Sequence, residues 1–97
     1  MRFCDYIRER RELMGLSQKD LAMVLSVDVP MYSRYERGQR MLKDKHIPII
    51  AIKLNIDCEE LRQMWIADKV YRVVYTEKNV TQIFEIVAEN INELNRE

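Results

Sequence analysis

Apolar residues recur at three- and four-residue intervals along most of the chain, the spacing of helices that bury one face. Phe3, Tyr6, Ile7, Leu13 and Met14 fall near one face of a first predicted helix over residues 3–14, with Arg8, Glu9, Arg10 and Glu12 largely outside it. Gly15 is placed to end that helix, because glycine takes the left-handed conformation of a C-cap at no steric cost. Ser17, with Asp20 three residues on, reads as an Asp variant of the capping box. It opens a short second helix with Leu21, Ala22, Val24 and Leu25 inward. Ser26-Val27-Asp28 is a joint of the length that sets two helices steeply against each other. Asp28 can cap a third helix, Pro30 suits its first turn, and Val29 is kept from the α region by the proline that follows. The third helix is expected to start at Val29 or Pro30, reach Arg37 and stop at Gly38.

A fourth helix is predicted over residues 44–54 from Ile47, Ile50, Ala51 and Leu54, with Pro48 implying an irregular or delayed start. Asp57 and Glu60 form a capping box for a fifth, whose apolar positions include Leu61, Met64, Trp65, Val70, Tyr71 and Val74. Thr76 to Lys78 interrupts the pattern, and Asn79 with Gln82 reads as another cap. The last helix then carries Val80, Ile83, Phe84, Val87, Ile91 and Leu94 on one stripe. Composition agrees with an all-α fold: 2 Gly and 2 Pro leave little turn chemistry for a sheet of many hairpins. At 97 residues, 47% of them hydrophobic, the chain suits one small domain with room for a terminal extension.

Candidate chemistry is sparse. Cys4 and Cys58 lack the paired spacing of a zinc site; one disulfide between them is open, but two buried reduced thiols are expected. His46 is a lone histidine, expected at the surface near a helix N-terminus. Without a Ser/His/Asp set, a Cys/His cluster or a Gly-rich phosphate loop, no catalytic residue, metal ligand or cofactor is assigned. No apolar run approaches the roughly 18 residues of a membrane span, and the N-terminus lacks the apolar stretch of a secretory signal. A cytoplasmic protein is therefore expected.

The formal net charge is zero, with 16 Lys+Arg against 16 Asp+Glu, which as a total argues against binding nucleic acid by bulk charge. Its distribution changes that picture. Residues 1–45 hold ten basic against seven acidic residues, and residues 46–97 hold six against nine. Pro30, Ser33, Arg34 and Arg37 make a small, polar and basic stripe along the third helix, while Met31, Tyr32 and Tyr35 are placed to pack inward. Such a stripe suits a helix inserted between phosphate walls, where arginine forks onto guanine or phosphate and serine permits close approach. An ordinary solvated helix face would carry the same charges.

Residues 16–38, LSQKDLAMVLSVDVPMYSRYERG, resemble the XRE family of helix-turn-helix regulators, the Cro and phage-repressor type. Leu16, Ser17, Gln18, Leu21, Ala22, Leu25, Val27, Ser33, Tyr35, Glu36 and Gly38 all fall on its pattern, and the likeness extends over about residues 3–66. The resemblance implies a five-helix lambda-repressor-like DNA-binding domain, set at residues 1–68, with residues 69–97 as a C-terminal helical extension for packing or dimerisation. It implies that Val29, Pro30, Ser33 and Arg34 face base edges. Ser17, Gln18, Lys19, Arg37, Arg40 and Lys43 would meet the DNA backbone, and Arg11 would pair with Glu36 as a structural ion pair. Ser26 stands where the family usually has glycine, so a left-handed residue there would cost about 1 kcal/mol. Val29 and Pro30 replace a polar pair and can touch a thymine methyl but cannot bond adenine, which shifts base reading toward Arg34.

The implied function is a bacterial or phage transcriptional regulator of repressor type. It would bind a double-stranded operator as a homodimer, with Ile83, Phe84, Val87, Ile91 and Leu94 folding back on the fifth helix or pairing with a second subunit. The alternatives are an antitoxin or restriction–modification controller with a protein partner, and an interaction module that has lost DNA binding.

Overall fold

The computed structural model describes residues 1–96. The described residues form six α-helices and no strand: α1 (Phe3–Leu13), α2 (Gln18–Leu25), α3 (Val29–Glu36), α4 (Ile47–Leu54), α5 (Cys58–Val74) and α6 (Val80–Asn95), with a 3-10 turn at Asp44–His46. This is the all-α, lambda-repressor-like arrangement of five helices followed by a helical extension. α5 runs unbroken across residue 68, where the sequence reading divides domain from extension.

The boundaries follow from local chemistry. Ser17 Oγ accepts from the Asp20 N–H at 3.1 Å while an Asp20 carboxylate oxygen accepts from the Ser17 N–H at 2.8 Å, closing a capping box on α2. The Asp28 carboxylate accepts from the Met31 N–H at 2.7 Å, and Pro30 sits in the first turn of α3, where its missing N–H costs nothing. Pro48 delays α4, so residues 44–46 form the 3-10 turn first. Asn79 precedes α6, but its side chain makes no capping bond, so the predicted Asn79–Gln82 cap is not formed.

α1 to α5 enclose one core. Ile7, Leu21, Tyr32, Ile47, Ile50, Leu54 and Leu61 are fully buried at its centre, with Phe3, Leu25, Tyr35 and Trp65 around them. Leu13 and Met14, expected on the inner face of α1, are exposed: the helix overruns the core, and the chain leaves it at the Met14 cap. Val70 and Tyr71 are also exposed, because α5 continues past α1 and α4, the helices it packs on. α6 has no buried residue, and the molecule is drawn out to 44 × 30 × 22 Å.

Ser26 ends α2 in the left-handed conformation, at φ 56° and ψ 41°. The turn keeps the geometry for which glycine is suited, and serine bears the strain. Ser26→Gly is therefore expected to stabilise the fold by about 1 kcal/mol, read as a rise of several degrees in the thermal midpoint. An unchanged or lower midpoint would show that the turn carries no such strain.

Candidate nucleic-acid interface

The third helix is held from behind by aromatic packing and a buried charge cluster. Tyr32 and Tyr35 turn into the core and meet edge to face, with ring centroids 6.2 Å apart. Glu36, on the same inner face, is also buried. Its carboxylate accepts two hydrogen bonds from Arg11, at 2.7 and 2.9 Å, and a third from the Gln18 side-chain amide at 3.2 Å. Arg11 also donates to the Leu16 carbonyl. One carboxylate thus ties α1, the start of α2 and the end of α3 into a fixed arrangement. Burial alone would raise the Glu36 pKa; the Arg11 and Gln18 donors outweigh it and hold the carboxyl below its usual range. The Tyr32 hydroxyl lies in the same cluster without a formed hydrogen bond. Burial, then the adjacent carboxylate, pushes this phenol well above its ordinary range and keeps it neutral.

The outer face of α3 is open. Val29, Pro30 and Arg34 are exposed and Ser33 is half-buried between them, so the four form one surface on the side away from Tyr32 and Tyr35. Arg37 follows, exposed, its Nε 3.4 Å from the Ser33 carbonyl. At the start of α2, Ser17 and Lys19 are exposed and Gln18 is half-buried. The Ser17 hydroxyl serves the capping box and Gln18 serves Glu36, so both contribute first to positioning the helix. The N-terminus of a helix presents unpaired N–H groups and favours an anion.

The segment after α3 carries Arg40 and Lys43, both exposed, and is pinned at two places. Trp65 donates to the Leu42 carbonyl at 2.9 Å, and Arg72 donates to the Gly38 carbonyl at 2.9 Å. Gly38 has φ +72°, and a Cβ there would lie 3.2 Å from the Cys4 sulfur, so both backbone angle and space call for glycine. Arg72 is itself held by Asp68, a buried carboxylate that also receives two hydrogen bonds from Arg2 at 2.9 and 3.1 Å. Burial would raise Asp68; its two guanidinium partners outweigh that and lower it. Sequence reasoning missed this brace of Arg2, Asp68 and Arg72. Asp68 does continue the Leu61–Trp65 stripe at helical spacing, and a carboxylate on a buried stripe requires a cationic partner.

Two expectations are corrected here. His46 is buried, not at the surface. The 3-10 turn rotates it inward, where its Nδ1 accepts from the Lys43 N–H at 3.2 Å and its ring tilts against Tyr35. Cys58 is exposed, not buried, because it begins α5 one turn before the apolar stripe starts at Leu61; Cys4 is buried, and both thiols are free.

Burial, followed by the nearby Lys45 and Lys43, lowers the His46 pKa. The unfolded imidazole therefore takes up a proton first, and stability should fall as pH drops below about 6.5. Glu36 and Asp68, both lowered, add a second loss as pH falls below about 4.3, where unfolded carboxyls protonate before the folded ones. Urea midpoints at pH 7.5, 5.5 and 4 should show both stages, and His46→Gln should remove only the first. A midpoint unchanged from pH 7.5 to 5.5 would contradict the buried neutral imidazole.

Five helices, α2 and α3 packed together across a three-residue joint, and an exposed polar face on α3 describe a helix-turn-helix unit. A family model described as Helix-turn-helix, of the Cro and phage-repressor type, matches residues 7–61, more than half of the chain. The chain belongs to the XRE family. It is a DNA-binding helix-turn-helix protein. No curated relative and no solved structure matches it. The XRE match runs from the middle of α1 to the first turn of α5, and so takes in Arg11, Gln18, α3 and the segment carrying Arg40 and Lys43. Asp68, Arg72 and α6 lie beyond it. Among the described residues there is no cluster of metal-ligating side chains, and no helix is long and apolar enough to cross a membrane.

Proposed function

We propose that this chain is a sequence-specific transcriptional regulator of repressor type that binds an operator as a homodimer. In this reading α3 enters the major groove with Val29, Pro30, Ser33 and Arg34 toward the base edges, and α2 lies across the backbone. Arg34 forks onto a guanine, Ser33 permits close approach, and Val29 and Pro30 meet a thymine methyl. Ser17, Gln18, Lys19, Arg37, Arg40 and Lys43 serve the phosphates, fixing register without reading sequence. The observation that carries this reading is the exposed Val29–Arg34 face on a helix whose opposite side is locked by Tyr32, Tyr35 and Glu36. A second copy supports it physically, because one such domain spans too few base pairs for useful specificity.

The test is fluorescence anisotropy of the whole chain on duplex DNA from upstream of its own gene, compared with a scrambled duplex. For about eight neutralised phosphates, four per protomer, affinity should fall roughly 10⁴-fold between 50 and 200 mM salt, and the native duplex should bind more tightly throughout. No retention of either duplex at low salt would overturn the proposal in favour of a protein-interaction module on the same fold.

A further inference from the structure

The surface that the DNA reading leaves unused is the far end of the molecule. There α5 and α6 form an open notch of about 520 Å³, lined by Val70, Tyr71, Val74 and Tyr75 on one side and Val80 and Phe84 on the other. Its rim is ordered. The Arg2 guanidinium lies 4.4 Å over the Tyr71 ring, and Tyr71 stacks on Tyr75 with centroids 5.4 Å apart. Beyond the notch the apolar strip runs the length of α6 through Val87, Ile91 and Leu94, all about half exposed or more.

We infer that this notch and strip receive the α6 helix of a second copy of this chain, each copy's helix lying against the other's notch. The inference rests on the dimeric DNA-binding reading and names the surface that makes the dimer. Two observations select a second copy as the occupant. First, Val80, Phe84, Val87, Ile91 and Leu94 alternate at intervals of four and three residues, the repeat of a helix packed along another helix. Second, the positions flanking this seam, Thr81, Ile83, Ala88, Asn90 and Asn95, carry no charge, while Glu85, Glu89 and Glu93 all lie on the opposite face. A two-fold contact repeats every flanking contact, residue i against j and j against i, so one charge at a flank would be desolvated twice over. One third of this chain is charged, yet its seam is free of charge.

Val70, Tyr71, Tyr75, Phe84, Val87, Ile91 and Leu94 are each between 41% and 71% exposed, a run of apolar side chains along both helices that a second copy would cover. The acidic outer face of α6 disfavours an anionic occupant such as a lipid surface or nucleic acid.

The experiment is sedimentation of the whole chain without DNA, so that its outcome is separate from that of the DNA reading. At micromolar concentration the wild-type chain should be a dimer. Val87→Glu should raise its dissociation constant at least ~100-fold, by placing a charge in the seam, while Glu89→Lys on the outer face should leave it unchanged. Cross-linking of mixed light and heavy wild-type chains should give links between copies through Lys78, in the joint between the two helices that line the notch, and does not depend on any variant folding. A wild-type monomer, a Val87→Glu dimer of undiminished strength, or links between copies confined to Lys19, Lys43 and Lys53 would each overturn the inference.

Discussion

Replacing Glu36 by glutamine is expected to lower the free energy of unfolding by about 3 kcal/mol, the largest stability effect of any single polar substitution in the chain. Glu36 is 2% exposed, and its carboxylate is the acceptor for Arg11 and Gln18 together. The Arg11 side chain is only 12% exposed, so glutamine would leave its guanidinium with only the exposed Glu12 carboxylate, 3.9 Å away, to balance it. The cost is that of stranding the charge, not the net worth of the pair. Truncating both partners, as in Arg11→Met with Glu36→Gln, should therefore recover much of the loss, because no buried charge remains. Urea denaturation followed by Trp65 emission measures all three variants. A Glu36→Gln loss under 1 kcal/mol, or a double variant no better than the single, would show that the pair is not the clamp between α1 and α3.

Arg34→Ala is the second large effect, and it falls on specificity instead of stability. Arg34 is exposed, and its side chain takes part in no intramolecular hydrogen bond or ion pair among the described residues, so truncation leaves the fold intact. In the proposed complex its fork bonds one base pair in each half-site. Its removal should cost about 1–3 kcal/mol of discrimination there and leave the other positions alone. The neighbouring Val29 and Pro30 cannot compensate, since neither carries a side-chain donor. Arg37, one turn on, is proposed to meet phosphate, and Arg37→Ala should weaken every duplex by a similar factor.

Much of the domain was legible in the sequence because the signals that set α1 to α3 are local. The Ser17–Asp20 box, the Asp28 cap, Pro30 and the glycines at 15 and 38 each act within four residues of where they stand. The inward placement of Tyr32 and Tyr35 followed from the same helical spacing. The misreadings lie where distant or subtle backbone choices decide. Arg2 and Asp68 are 66 residues apart, and nothing in either one's neighbourhood announces the other. The inward turn of His46 depends on a 3-10 turn in place of the first turn of an α-helix, a difference that apolar spacing does not encode. Cys58 is apolar enough to suit a core, but it stands one turn ahead of the stripe that defines the buried face of α5. For α6 the stripe itself was readable; that it would stand clear of its own domain was not, because a helix folded back and a helix held for a partner share the same pattern.

Base-pair titrations decide whether the exposed face of α3 reads base edges. Wild type, Arg34→Ala and Arg37→Ala are titrated against the upstream duplex and a set of its single base-pair variants at fixed salt. Arg34→Ala is expected to lose discrimination at one position per half-site, while Arg37→Ala lowers affinity for all duplexes alike. If Arg34→Ala weakens every duplex by the same factor and leaves the wild-type ranking of sequences intact, α3 is not the reading helix.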